Sequence, residues 1–393
     1  MRNFYLFVFL LTSINLFGQN TRYLDDVFTG VERTEDLIYT SAHDTSYGSL
    51  FLDVYEPLGD TETNRPLIIL AHGGSFVAGS KENPTMVTLC ESFARKGYVT
   101  ASIQYRLGTV FDMLDSLSMI NVVMKALSDA KSAVRYFRMD AAGANSFNIN
   151  SSMIFFGGNS AGGVIGSHLG ILSSVAELGS DQYLVDILNN NGGFEGNSGN
   201  DGYSSEINGI INLAGAINKT SWINSSDKPI VSCHGDSDGT VPYNCGNALG
   251  LGTLPQLCGS GSMKPVLDQK GVKNELLLFP GDDHVPWEVS SSKMNQVIDV
   301  VKNFLYELMS PASISDFNTN VVGVYPNPSS GLFYISSDVK SFDVSVYNSV
   351  GALIYYTNQI KENRVDLTSM PSGFYTLVVT TKNQSVTKKI ALQ

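Results

Sequence analysis

A chain of 393 residues is longer than one typical domain and suits one large unit joined to one small one. Its 37 acidic and 25 basic residues give a net charge of -12 and no basic stripe, which excludes nucleic acid and anionic membrane surfaces as partners. No stretch approaches the roughly 20 apolar residues of a membrane-spanning helix.

Residues 1–18 predict a signal peptide, with Arg2 as its positive end, an apolar core over 4–11 and Gly18 as the small residue before the cut. The chain is therefore expected to be exported. In an oxidising compartment its 4 cysteines permit two bridges. Cys245 and Cys258 flank a Gly/Leu loop and form the best pair, whereas Cys90 and Cys233 read as either a second bridge or two buried thiols. Their spacing does not resemble a zinc site.

Short runs at 37–39 and 50–55, bounded by polar turns, predict antiparallel edge strands. The uninterrupted apolar run 66–71 predicts a strand buried on both faces, and it leads into His72-Gly73-Gly74-Ser75-Phe76. A helix over 86–95, a strand over 98–103 and an amphipathic helix over 121–137 follow, the last with Ala126, Ala130, Ala133 and Val134 on one face. Residues 151–163, S-S-M-I-F-F-G-G-N-S-A-G-G, carry an apolar strand through a glycine-rich turn into a helix expected over 164–175. The Asn-, Gly- and Ser-rich stretch 189–205 predicts a functional loop or loose cap over the sheet's edge. Buried strands at 207–213, 229–232 and 275–279 and a closing helix at 294–309 complete an α/β, doubly wound, mostly parallel sheet covered on both faces. Beyond residue 324 no helical period remains. Runs at 332–335, 342–347, 353–356, 374–380 and 385–392 predict a small, mildly basic all-β sandwich.

Ser160 stands at the centre of G-x-S-x-G, directly between strand and helix. A sharp strand-to-helix turn forces its apex residue into a strained conformation, and glycines two before and two after let the elements close around it. A serine nucleophile also needs a base and an orienting carboxylate, which in folds of this kind follow in the order serine, acid, histidine. H-G-D-S-D-G-T-V-P, after the strand at 229, offers both Asp236 and Asp238, one as acid and the other as a turn former. P-G-D-D-H-V-P-W, after the strand at 275, offers His284, with Asp282 and Asp283 fixing its loop. All these groups fall beyond the carboxyl ends of parallel strands, where sites in such sheets lie. Of the 5 histidines only His284 follows the acid. His43 falls in a polar loop, His168 inside a helix, and His72 and His234 in glycine-bounded turns as structural groups. Backbone N–H groups of Gly74 and Ser75, with that of Ala161, can hold an oxyanion. Phe76, Trp222 and Trp287 fall on loops of the same face and would suit an aromatic or aliphatic acyl group. The chemistry requires no cofactor and no metal.

H-G-G-S-F-V-A-G-S, Q-Y-R-L-G and G-G-N-S-A-G-G together resemble the α/β-hydrolase carboxylesterases, especially the compact type-B-like and hormone-sensitive-lipase-like bacterial enzymes, over residues 50–308. The resemblance implies Ser160 as nucleophile, His284 as base, Asp238 as acid and Gly74, Ser75 and Ala161 as oxyanion donors, acting on an ester substrate. Ser75 stands where many members carry a third glycine. The tail, with V-Y-P-N-P-S-S-G, F-D-V-S-V-Y-N, P-S-G-F-Y and K-K-I, resembles the type A sorting domain of the type IX secretion system of Bacteroidota. That implies passage through the periplasm to the outer-membrane surface or the medium, with the secretion machinery as partner. The expected division is a signal peptide at 1–18, a catalytic domain at 19–310, a linker at 311–323 and the sorting domain at 324–393.

Overall fold

Successive side chains of a strand point to opposite faces, so a strand that is apolar throughout requires cover on both sides. The structure, a computed structural model, describes residues 21–41, 48–179, 181–309, 322–337, 342–348, 351–358, 363–380 and 385–393. The expected signal peptide lies outside these residues, as does the expected linker up to residue 321.

The chain divides into two units, Met1–Met309 and Ser310–Gln393. The first runs β1 (Val31–Ser41), β2 (Ser49–Pro57), β3 (Arg65–Ala71), α1 (Pro84–Arg95), β4 (Val99–Ile103), α2 (Ser116–Ala142), β5 (Ile149–Asn159), α3 (Ala161–Ile171), α4 (Gln182–Asn190), β6 (Gly209–Leu213), β7 (Ala216–Ile217), β8 (Ile230–Gly235), β9 (Cys245–Asn247), β10 (Gln256–Gly259), α5 (Ser260–Lys270), β11 (Asn274–Phe279) and α6 (Ser291–Met309). Eight strands form one sheet in the order β1-β2-β4-β3-β5-β6-β8-β11. It is parallel from β4 to β11, and β2 joins β4 and β1 in antiparallel register. The doubly wound, mostly parallel sheet expected from the alternation is the one observed.

Two cores cover its faces. Leu67, Ile69 and Ala71 of β3 enter one with α2 and α3, while Ile68 and Leu70 enter the other with α1 and α6. Phe156 and Phe155 of β5 divide in the same way. Cutting a ring such as Phe155 to alanine costs about 3–5 kcal/mol in such a core.

Several local expectations shift. Helix α2 begins at Ser116, where the Asp115 carboxylate caps the Ser118 N–H at 2.8 Å, and it continues to Ala142, well beyond the amphipathic stretch. Helix α3 begins at Ala161 rather than 164 and stops at Ile171. Glycines 162 and 163 are poor helix formers, yet tertiary packing holds them in the first turn. Val175 belongs instead to a short 3-10 turn capped by Ser174 and Glu177. The stretch 189–205 is no loose cap. The Ser198 hydroxyl donates to Asp129 at 2.5 Å and accepts from Arg106 at 2.8 Å, and the Gly199 carbonyl accepts from the Arg135 guanidinium. Buried polar partners on α2 and on the loop after β4 thus hold a segment that has little apolar surface of its own.

The second unit carries β12 (Val322–Tyr325), β13 (Leu332–Ser337), β14 (Asp343–Tyr347), β15 (Leu353–Thr357), β16 (Arg364–Asp366), β17 (Gly373–Thr380) and β18 (Ser385–Leu392). They form sheets ordered β12-β13-β16 and β15-β14-β17-β18, and inward residues of both, among them Phe333, Val365, Val344 and Leu377, share one core. Strands β12 and β16 are too short to show a period and are not apparent in the sequence.

Candidate active site

β5 ends at Asn159 and α3 begins at Ala161, so Ser160 alone makes the turn. Its φ is 54° and its ψ -112°, a conformation a non-glycine residue adopts only when its surroundings impose it. Both flanking glycines face one atom: a Cβ at Gly158 or at Gly162 would collide with the carbonyl oxygen of Ala71, the last residue of β3. The Ser160 N–H donates to Leu213 O of β6 at 2.7 Å, which pins the apex from the other side. The glycines of G-x-S-x-G are therefore a packing requirement here.

β8 and β11 are parallel neighbours, and the loops beyond them carry the two expected partners. His284 Nε2 lies 2.8 Å from Ser160 Oγ, and His284 Nδ1 lies 2.6 Å from Asp238 Oδ2. The carboxylate fixes the tautomer: Nδ1–H donates to it, which leaves Nε2 to accept from the serine hydroxyl. Asp238 Oδ1 accepts from the N–H groups of Thr240 and Val241 at 2.8 and 2.9 Å. Burial alone would raise the pKa of Asp238. Hydrogen bonds from His234 and His284 and the charge of His284 outweigh it, and the carboxyl is held well below its ordinary range.

Asp236 stands apart from the histidine ring. Its Oδ1 accepts from Gly281 N–H at 2.6 Å, so it ties its turn to the neighbouring loop rather than through its own backbone. Asp283 accepts from Gly239 and His284 N–H groups, and Asp282 pairs with Lys293 at 2.5 Å, so both hold the histidine loop. His234 is buried and structural, and what it braces is the acid: Nε2–H donates to Val241 O at 3.0 Å and stands 3.3 Å from Asp238 Oδ2, while Ser260 Oγ meets Nδ1 at 2.9 Å. His72 likewise bonds Gly73 O beside its own turn.

The loop after β3 passes against the apex, because a Cβ on Gly73 would stand 3.3 Å from Ser160 Cβ. Gly74 and Ser75 have φ of 119° and 52°. Neither of their N–H groups, nor that of Ala161, has a hydrogen-bond acceptor within the described protein. Ser75, Ser160 and Ala161 line one apolar pocket whose empty space, open mouth included, is about 870 Å³. Phe76 and Trp222 line it too. Trp287 does not: it is buried, donates Nε1–H to Asn159 Oδ1 at 3.0 Å and packs against Phe279. Much of the remaining wall comes from α2 and its lead-in, including Met113, Met119 and Met124, from Leu249 and Leu254 between β9 and β10, and from Leu257 on β10. The run of methionines at 113, 119 and 124 is the one sequence signal that could have pointed there.

Cys245 and Cys258 are directly opposite in the β9–β10 pair and are joined by a disulfide, as expected. Cys90 and Cys233 are free and buried, and burial pushes the Cys90 thiol up to about 12. Among the described residues no group of side chains suits a metal ion, and no helix is long and apolar enough to cross a membrane.

An open α/β sheet with a serine elbow after its fifth strand, and an aspartate and a histidine after its last two parallel strands, defines the α/β-hydrolase fold. Residues 52–218 match the family model BD-FAE, and residues 323–393 match the Secretion system C-terminal sorting domain. The chain is an α/β-hydrolase esterase fold joined to a C-terminal sorting domain of the type IX secretion pathway, as its motifs imply. Among solved structures it is similar to a thermophilic esterase of Thermogutta terrifontis, esterase 2 with propionate bound, at 19% identity and a TM-score of 0.53, over 72% of this chain and 96% of that one. The same esterase phosphoramylated by tabun matches at 20% identity and a TM-score of 0.50, over 72% and 97%. No curated protein matches the chain.

Proposed function

We propose that the protein is an exported serine carboxylesterase. The observation that carries the reading is the continuous line from Asp238 through His284 to Ser160, with distances of 2.6 and 2.8 Å, at the wall of an apolar pocket. Ser160 Oγ attacks the ester carbonyl as His284 Nε2 takes its proton, and Asp238 stabilises the imidazolium that forms. The N–H groups of Ala161 and of the Gly74/Ser75 loop hold the oxyanion. The alcohol leaves with the proton from His284, and water then reverses the acylation. The residues required are all in the chain, and no step calls for a cofactor.

The pocket lining favours an apolar acyl group and supplies no charged side chain to clamp a peptide terminus. The Thermogutta esterase described with propionate bound is consistent with the same substrate class. The sorting domain supports delivery through the periplasm to the cell surface or the medium, with the catalytic domain at 19–310 and the sorting domain at 324–393. Ester turnover by purified Ser160→Ala and His284→Ala tests the reading. Each is expected to lose several decades of kcat with folding retained, because the residues act as a unit. A folded Ser160→Ala with near-normal turnover would sink it.

A further inference from the structure

A second cavity lies behind the pocket at Ser160, and no step of the proposed reaction uses it. Helix α2 contributes Ser128 and Lys131 to its wall, α3 contributes Leu169, and Leu178 and Leu188 close it from the segment that follows. Three side chains line both spaces: Met124 and Leu127, one turn apart on α2, and His168 on α3. They are the partition between front and rear.

The partition is fixed on one side and adjustable on the other. His168 Nδ1–H donates to Val164 O at 2.8 Å, its Nε2 accepts from Asn218 N–H at 3.2 Å, and burial lowers its pKa, so the ring is neutral and anchored. Met124 and Leu127 carry no polar atom to tether them and adapt by rotamer change. The rear cavity's one charged group, Lys131, is occupied by the Phe194 carbonyl and ring and by Glu195, and its polar side chains Ser128 and Asn191 are hydrogen-bonded, which leaves a mainly apolar surface.

Ala161, Val164 and His168 line the front pocket along one face of α3. From Ser160 to His168 the helix rises about 12 Å at 1.5 Å per residue, the reach of a medium rather than a long acyl chain. We propose that Met124 and Leu127 set the acyl-chain limit of this enzyme, and that the cavity behind them is a latent subsite for the far end of a longer fatty-acyl group. The proposal rests on the reading of Ser160 as the acyl-accepting nucleophile.

The test is kcat/KM for p-nitrophenyl esters from acetate to dodecanoate, measured on the full-length protein. Met124→Ala opens the partition and is expected to raise the dodecanoate-to-butyrate ratio by about tenfold or more, the scale of a methylene accommodated in an apolar pocket. Adding Leu169→Phe, which fills the rear cavity alone, is expected to return the ratio to that of the wild type. Met124→Val carries the same comparison if the alanine variant does not fold. An unchanged ratio in a folded variant, or a raised ratio that Leu169→Phe leaves raised, overturns the proposal. Wild-type protein that hydrolyses none of the esters overturns the esterase reading instead, so the two failures are distinguishable.

Discussion

Asn159 and Glu288, separated by 129 positions, are joined by a 2.8 Å hydrogen bond from Nδ2 to Oε1. Asn159 immediately precedes Ser160, and Glu288 lies four residues beyond His284, so this bond ties the serine elbow to the histidine loop. The other end of the amide accepts Trp287 Nε1–H, and Glu288 Oε1 also accepts the Thr85 hydroxyl of α1 at 3.1 Å. These bonds run from the buried Asn159 and Trp287 out to Glu288 on the surface, and they set the distance between nucleophile and base.

Asn159→Ala leaves the buried Trp287 indole N–H without its acceptor, while the exposed Glu288 keeps the Thr85 hydroxyl. It is expected to cost about 1–3 kcal/mol of stability and to lower kcat about tenfold or more through ångström-scale misplacement. KM should change little, because neither Asn159 nor Glu288 lines the pocket. Steady-state kinetics beside a melting curve reads both effects. A destabilised variant with wild-type kcat would reduce the network to a structural one.

Asp238→Asn misdirects the His284 tautomer and is expected to reduce kcat by about 10⁴. Asp236→Asn keeps an oxygen for Gly281 N–H and should change kcat little. The reverse ranking would move the acid to Asp236. A pH signature accompanies the first. The folded pKa of Asp238 is depressed, so its stabilisation is complete above the ordinary carboxylate value of about 3.9 and is lost as pH falls toward the folded pKa. The stability gap between wild type and Asp238→Asn, from denaturant unfolding, should therefore be wider at pH 7 than at pH 3. Equal gaps would contradict it.

The positions of Ser160 and His284 are legible in the sequence because each depends on short-range pattern: an apolar strand, then glycines or a turn, then the reactive group. The central strands are legible for the same reason, through burial on both faces. Two aspartates two residues apart are indistinguishable by pattern, and only the resemblance separates Asp238 from Asp236. The role of Trp287 cannot be read locally, because its loop position suggested a pocket wall while its indole N–H is spent on Asn159. Residues 189–205 look unattached because their partners, Arg106, Asp129 and Arg135, lie at least 60 positions earlier. The pocket itself draws on six separate segments, 75–76, 113–127, 160–168, 184, 218–222 and 240–257, and has no linear signature.

The disulfide closes a loop that forms part of the pocket wall. Ala248, Leu249, Leu254, Pro255 and Leu257, all between its two cysteines, line the pocket. Replacing both cysteines by serine is expected to lower stability by about 3 kcal/mol for a loop of this size and to raise KM for apolar esters as the wall loosens. Calorimetry and kinetics on the double variant decide it. An unchanged KM would leave the bridge a purely stabilising role.

Each unit has its own apolar core, Phe333 to Leu392 in the second and two separate clusters in the first. A protein ending at Asn320 is therefore expected to fold and keep ester turnover when purified, since a domain with its own core folds alone, yet to remain in the periplasm of the native cell. Cell fractionation with an activity assay reads both. Surface delivery of the truncated protein would contradict the sorting role of the tail.

The most direct measurement is to treat the full-length protein with a fluorophosphonate and locate the adduct by peptide mass mapping. An activated serine with a histidine at 2.8 Å predicts one adduct, on Ser160, that is absent from Ser160→Ala and much slower to form in His284→Ala. Labelling at another residue, or undiminished labelling of Ser160→Ala, would contradict the account.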